Sequence, residues 1–82
     1  MINFDVFKGT ILDNEGNYEV TICRRKGVTE VHTYIDITLA RLIELIEYNK
    51  KAHIGIVVYD LVCSTITYVW TKECGEVINM IR

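Results

Sequence analysis

Five side chains of this 82-residue chain are of the types that hold zinc: Cys23, His32, His53, Cys63 and Cys74. Zinc takes thiolates and imidazole nitrogens in tetrahedral sets of four. A tight turn at Lys26-Gly27 would set Cys23 opposite Glu30 and leave His32 one diagonal step away on the same strand face. Cys63 and Cys74 flank a later strand from its two ends. The set this spacing suggests is Cys23, His32, Cys63 and Cys74, and a metal staple would help so small a domain. No C-x-x-C or H-x-x-x-H knuckle is present to supply two ligands from one turn, however. The stronger expectation is therefore scattered thiols and imidazoles and no cofactor, with zinc as the exception to test.

The same cysteines are the available nucleophiles, and His32 or His53 the available bases, but no local spacing joins one to the other. Cys63, beside Leu61 and Val62, reads as a buried structural thiol. The acids lie scattered over turns and one exposed helix face rather than in a pair fit for acid and base work. Gly9, Gly16, Gly27, Gly55 and Gly75 are too far apart for a phosphate-binding loop. Tyr59, Tyr68 and Trp70 fall on adjacent expected strands, as in sheets that stack bases, but they lack a Gly-aromatic pattern and neighbouring cations. Core or protein-contact aromatics fit them better. The reading is of a non-enzyme, with a cysteine-dependent small enzyme or enzyme subunit as the last alternative.

The elements that would position these groups follow from periodicity. Ile2 to Leu12 is rich in β-formers and runs into Asp13-Asn14-Glu15-Gly16-Asn17, a turn composition. Tyr18 to Arg25 alternates, with Tyr18, Val20 and Ile22 on one face and Glu19, Thr21 and Cys23 on the other. Val28 to Ile35 resumes after Lys26-Gly27, so the first 35 residues read as a three-stranded meander. Leu39, Leu42, Ile43 and Ile46 then make one helical stripe, with Thr38 as N-cap, Asp36 as the competing cap, and Ile37 stapled to Leu42. Glu47 and Lys51 have the spacing of a helical ion pair, and the helix should stop near Asn49 to Ala52. His53 to Tyr59 is apolar on both faces and reads as a central strand. In Thr65 to Thr71, Ile66, Tyr68 and Trp70 alternate against Thr65, Thr67 and Val69, and Val77 to Ile81 reads as a last strand or short helix. The fold class is α+β: two layers, one helix on a mostly antiparallel five- or six-stranded sheet, ordered β-β-β-α-β-β with or without a final β.

Eighty-two residues make one domain, 1–82, with half its residues apolar and no linker, repeat or low-complexity run. The net charge of −2 argues against direct nucleic-acid binding, which needs surplus cations. No run approaches the ~20 apolar residues of a membrane span. The absence of a basic, apolar leader and the odd cysteine number suit a reducing, cytoplasmic setting. No Pro and many Ile, Lys, Asn and Tyr residues suit an AT-rich genome, a low-GC bacterium or its phage.

These features point to a protein-interaction module. By analogy of size, charge and coding bias alone, small phage-encoded inhibitors of host nucleases, anti-CRISPR proteins among them, are the comparison. In that reading Asp13, Glu15, Glu19 and Glu30 face a basic groove, with Tyr68 and Trp70 as anchors. The alternative is a zinc-stabilised binding domain. An apolar edge at Val77 to Ile81 would further suit a homodimer.

Overall fold

The computed structural model describes residues 14–24 and 27–81. Its order is β1 (Glu15–Cys23), β2 (Thr29–Thr38), α1 (Leu39–Lys50), β3 (Gly55–Asp60), β4 (Thr65–Thr71) and β5 (Gly75–Asn79). The strands form one sheet, β2-β1-β3-β4-β5, antiparallel at every junction. This is the expected α+β fold, with the helix on one face and β3 at the centre. Ile2 to Leu12, expected as the first strand of a meander, lies outside the described residues. Both sides of β1 are taken, by β2 and β3.

Helix α1 forms where the apolar stripe returns every three or four residues. Leu39, Leu42 and Ile46 are buried, and Ile43 packs beside them. The Thr38 Oγ1 accepts the Arg41 N–H at 3.2 Å, so Thr38 rather than Asp36 is the cap. Glu47 pairs with Lys50 at 3.2 Å in place of the expected Lys51. The stripe meets Val20 and Ile22 of β1, Ile37 of β2, Ile56 and Val58 of β3, and Tyr68 of β4, with Ile81 closing the core. The helix lies over β1, β2 and β3.

Strict alternation holds along β1 and β3, whereas β2, β4 and β5 each contain one bulge. On β2, Ile35 and Asp36 together oppose Asn17. Asp36 is left-handed (φ 55), and its N–H donates to the Asn17 Oδ1 at 3.0 Å. The extra residue reverses the inward phase, so Tyr34 and Ile37 both face the core while Ile35 is 62% exposed. On β4 the additional residue is Thr67, which leaves Ile66 opposite Tyr59 and Tyr68 opposite Val58. Ile66 therefore does not share a face with Tyr68 and Trp70, as plain alternation implied. On β5 the additional residue is Val77.

The expected turn at 13–17 is also different. Glu15, Gly16 and Asn17 belong to β1, and Gly16 is required by a close approach rather than by a turn. A Cβ there would sit 2.7 Å from the Tyr18 ring.

Candidate binding surface

The hairpin between β1 and β2 decides where the proposed zinc ligands point. Arg24 N–H donates to Val28 O at 2.8 Å, and Gly27 takes φ +75, leaving three residues inside the closing pair instead of two. Cys23 thus pairs with Thr29, Ile22 with Glu30 and Val20 with His32. A one-residue difference in register exchanges the faces of a strand. His32 accordingly lies on the helix side with Val20, and Cys23 on the opposite side. Cys63 follows Asp60, which pairs with Tyr18, five residues along β1 from Cys23 and so ~17 Å away. Cys74 sits in the β4–β5 turn, where its N–H donates to the Thr71 Oγ1 at 3.0 Å. Across the sheet, Gly75 is three strand spacings from Cys23, ~14 Å. The set Cys23, His32, Cys63 and Cys74 does not converge, and no group of three or more such ligands exists among the described residues. Cys63 is exposed rather than buried. His53 is also engaged locally, its Nδ1 lying 3.0 Å from the Asn49 carbonyl oxygen.

The expected acidic patch is divided in the same way. Asp13 lies outside the described residues. Glu15 and Glu19 share one face of β1, and Glu19 stands between Thr33 and Tyr59. Glu30 lies on the other face, ion-paired with Arg24 and 3.6 Å from the His32 Nε2. Its charge is partly answered within the chain, so Glu15, Glu19 and Glu30 do not present a phosphate-like row.

Tyr68 and Trp70 face the helix side, beneath the end of α1. Tyr68 is buried and Trp70 partly so. The Lys50 Nζ stands 5.3 Å from the Tyr68 ring centroid and 5.7 Å from that of Trp70. The same ammonium lies 3.2 Å from Glu47 Oε1 and 3.7 Å from Glu76 Oε2. The Tyr68 hydroxyl donates to Glu76 Oε2 at 2.8 Å, and Asn79 Nδ2 donates to the same oxygen at 3.2 Å. Burial raises the Tyr68 pKa; the Lys50 hydrogen bond opposes this and Glu76 adds to it, for a net rise. For Lys50, burial is the largest influence and lowers the pKa, but Tyr68 and Glu47 outweigh it and raise it overall. Tyr68 therefore stays a neutral phenol and Lys50 an ammonium at neutral pH. That composition clamps the end of the helix to β4 and β5.

The face turned away from the helix has a different composition. Val31, Thr21, Val57, Val69 and Ile78 are partners in successive ladders and form one row across the whole sheet. Thr33, Glu19, Tyr59 and Ile66 form the next row. Val31 is 57% exposed, Ile66 46% and Ile78 37%. No helix among the described residues lies over this face. Sequence reasoning missed it because the bulges at Thr67 and Val77 are what bring Ile66 and Ile78 to this side. The alternation of Thr21, Val57 and Val69 was the only legible sign. Glu19 is the one charged side chain in either row. Among the described residues no helix is long and apolar enough to cross a membrane. Comparison with protein-family models, with curated proteins and with solved structures found no match to this chain.

Proposed function

We propose that this protein is a non-enzymatic binding module that holds a protein partner against the open face of its sheet. The observation that carries this reading is the row Val31, Thr21, Val57, Val69 and Ile78, which crosses five strands opposite the only helix of the described residues. The surface is largely β-branched and nearly uncharged, which suits a partner with its own apolar surface.

Magnitudes set the expected strength. Full burial of an aliphatic side chain contributes about 1.5–3 kcal/mol. Val31, Val57, Tyr59, Ile66, Val69 and Ile78 are already partly covered, so each has roughly half of that left to give. The gross gain, roughly 6 kcal/mol, is comparable with the ~4–15 kcal/mol cost of association. The face by itself thus supports a transient complex, and a tight one needs hydrogen bonds from Thr21, Thr33 and Glu19 within it.

The test uses Ile66→Lys with Ile78→Lys, two exposed positions whose change leaves the core intact. Immobilised wild-type protein should retain one stoichiometric partner from an extract of the producing cells. The double variant should lose it at unchanged melting temperature, while Lys51→Glu at the C-cap of the helix should keep it. Equal capture by both variants, or no stoichiometric partner for the wild type, defeats the reading.

A further inference from the structure

We infer that the outer edge of β2 pairs with the same edge of a second copy, joining two sheets into one. The inference concerns the backbone edge and stands apart from the open face. It begins with the direction of the peptide groups. The carbonyls of Cys23 and Asn17 accept N–H groups of Ile54 and Leu61, so the odd-numbered residues of β1 turn their backbone groups toward β3. The even-numbered residues Tyr18, Val20 and Ile22 therefore bond β2, at Tyr34, His32 and Glu30. Alternation leaves Thr29, Val31, Thr33 and Ile35 with backbone groups directed away from β1. Among the described residues no strand meets them.

The two edges of the sheet are not alike. β5 is 5 residues long and interrupted at Val77, which are two devices that keep edges from pairing. β2 is 10 residues long and contains no Lys, Arg or Pro. Its bulge falls near one end, so the stretch from Thr29 to Tyr34 is regular. The outward-bonding positions are β-branched throughout, and Val31 and Ile35 are well exposed.

The sequence of β2 also selects a register. Two copies related by a two-fold axis normal to the sheet must pair about a single residue. Centring on Thr33 opposes Glu30 to Asp36 of the other copy, and like charges directly opposite are unfavourable. Centring on Val31 carries Ile35 past the end of the other strand, to Gly27. Centring on His32 pairs Thr29 with Ile35 and Val31 with Thr33, so all four outward residues bond and Glu30 meets Tyr34. The row of each open face that contains Val31 then runs across the junction into the other copy's row of Thr33, Glu19, Tyr59 and Ile66.

Sedimentation equilibrium on the full chain, with amide hydrogen exchange at matched concentrations, tests this. The subunit mass is 9.5 kDa, so the dimer should weigh twice that. The amides of Thr29, Val31 and Thr33 should exchange slowly in the dimer and fast on dilution. Thr33→Lys should raise the dimer Kd on the order of 100-fold by placing cations along the junction. Thr33→Pro should do the same by removing an outward N–H that β1 does not use. With the native cysteines changed to Ser, His32→Cys should yield a disulfide-linked dimer on oxidation. A monomer at millimolar concentration overturns the inference. So does protection of these amides in a species of monomer mass, which would mean that another segment of the chain covers the edge. Persistent dimers in folded Thr33→Lys overturn it as well.

Discussion

Replacing Gly16 with Ala should destabilise the protein only while Tyr18 is present. A Cβ at position 16 would lie 2.7 Å from Tyr18 Cε2 and 3.1 Å from both Cζ and the hydroxyl oxygen. Carbon atoms pack at about 3.5–4.0 Å, so the ring must retreat by about 1 Å. It has little room, because Tyr18 packs against the core and lies close enough to Asp60 and Cys63 for their charges to help burial raise its pKa. Overpacking of this kind costs about 1–3 kcal/mol. Gly16 has a strand backbone and is not left-handed, so Ala is otherwise the better residue by roughly 0.5–1 kcal/mol. In a Tyr18→Ala background Gly16→Ala should accordingly stabilise. The coupling between the two sites should reach about 1.5–4 kcal/mol in a double-mutant cycle. Thermal unfolding reads this at about 4–8 °C per kcal/mol for a domain of this size. An equal effect of Gly16→Ala in both backgrounds would refute the placement of the ring over residue 16.

Two further expectations follow from local chemistry. Tyr18, Tyr68 and Lys50 all have raised pKa values, from ordinary values of 10.0 for the tyrosines and 10.5 for the lysine. Each binds its proton more tightly in the folded state, so its contribution is complete below the unfolded pKa and is lost as pH rises through the folded one. Urea midpoints should hold steady at neutral pH and fall above about pH 10, and Tyr68→Phe should shrink that fall; a midpoint that rises with alkali contradicts the assignment. Asp36→Asn should be nearly neutral, because Asn accepts a left-handed backbone, whereas Asp36→Val should cost about 1–2 kcal/mol. A Val variant with unchanged stability would show that the bulge can relax without displacing Ile37.

The helix was legible because its signal is redundant: a stripe at Leu39, Leu42 and Ile46, a capping Thr38 and basic residues at the end all say the same thing. β3 was legible as central because apolar residues on both its faces demand neighbours on both sides. The hairpin at 24–28 was less so. Lys26-Gly27 marks a turn, but whether two or three residues lie inside it depends on Arg24 and Val28 closing the loop, which composition does not reveal. That one residue separates two of the expected ligands, since it sends His32 and Cys23 to opposite faces. Tyr68 and Trp70 read as anchors because aromatic type alone does not say that Lys50 will cover them.

The remaining differences have a common cause. Period-two alternation assigns Ile35 with Ile37, Ile66 with Tyr68, and Glu76 with Ile78 to shared faces, and a bulge separates each pair. β1 and β3 carry no extra residue of their own, since each lies under the helix between two neighbours and must keep Val20, Ile22, Ile56 and Val58 in phase. β2, β4 and β5 satisfy the core with fewer inward side chains and can absorb an extra residue where a local device allows it. Asp36 does so through its left-handed backbone and Asn17, and Thr67 through its hydroxyl, which donates to the Val58 carbonyl at 3.3 Å. The bulges cost ladder hydrogen bonds, yet two of them deliver Ile66 and Ile78 to the open face beside Val57 and Val69. A sheet that needed only one packed face could have buried those isoleucines toward the helix or replaced them with polar residues. Their position away from the core, Ile78 opposite Val69 and Ile66 opposite Tyr59, is what makes the open face apolar from one edge strand to the other.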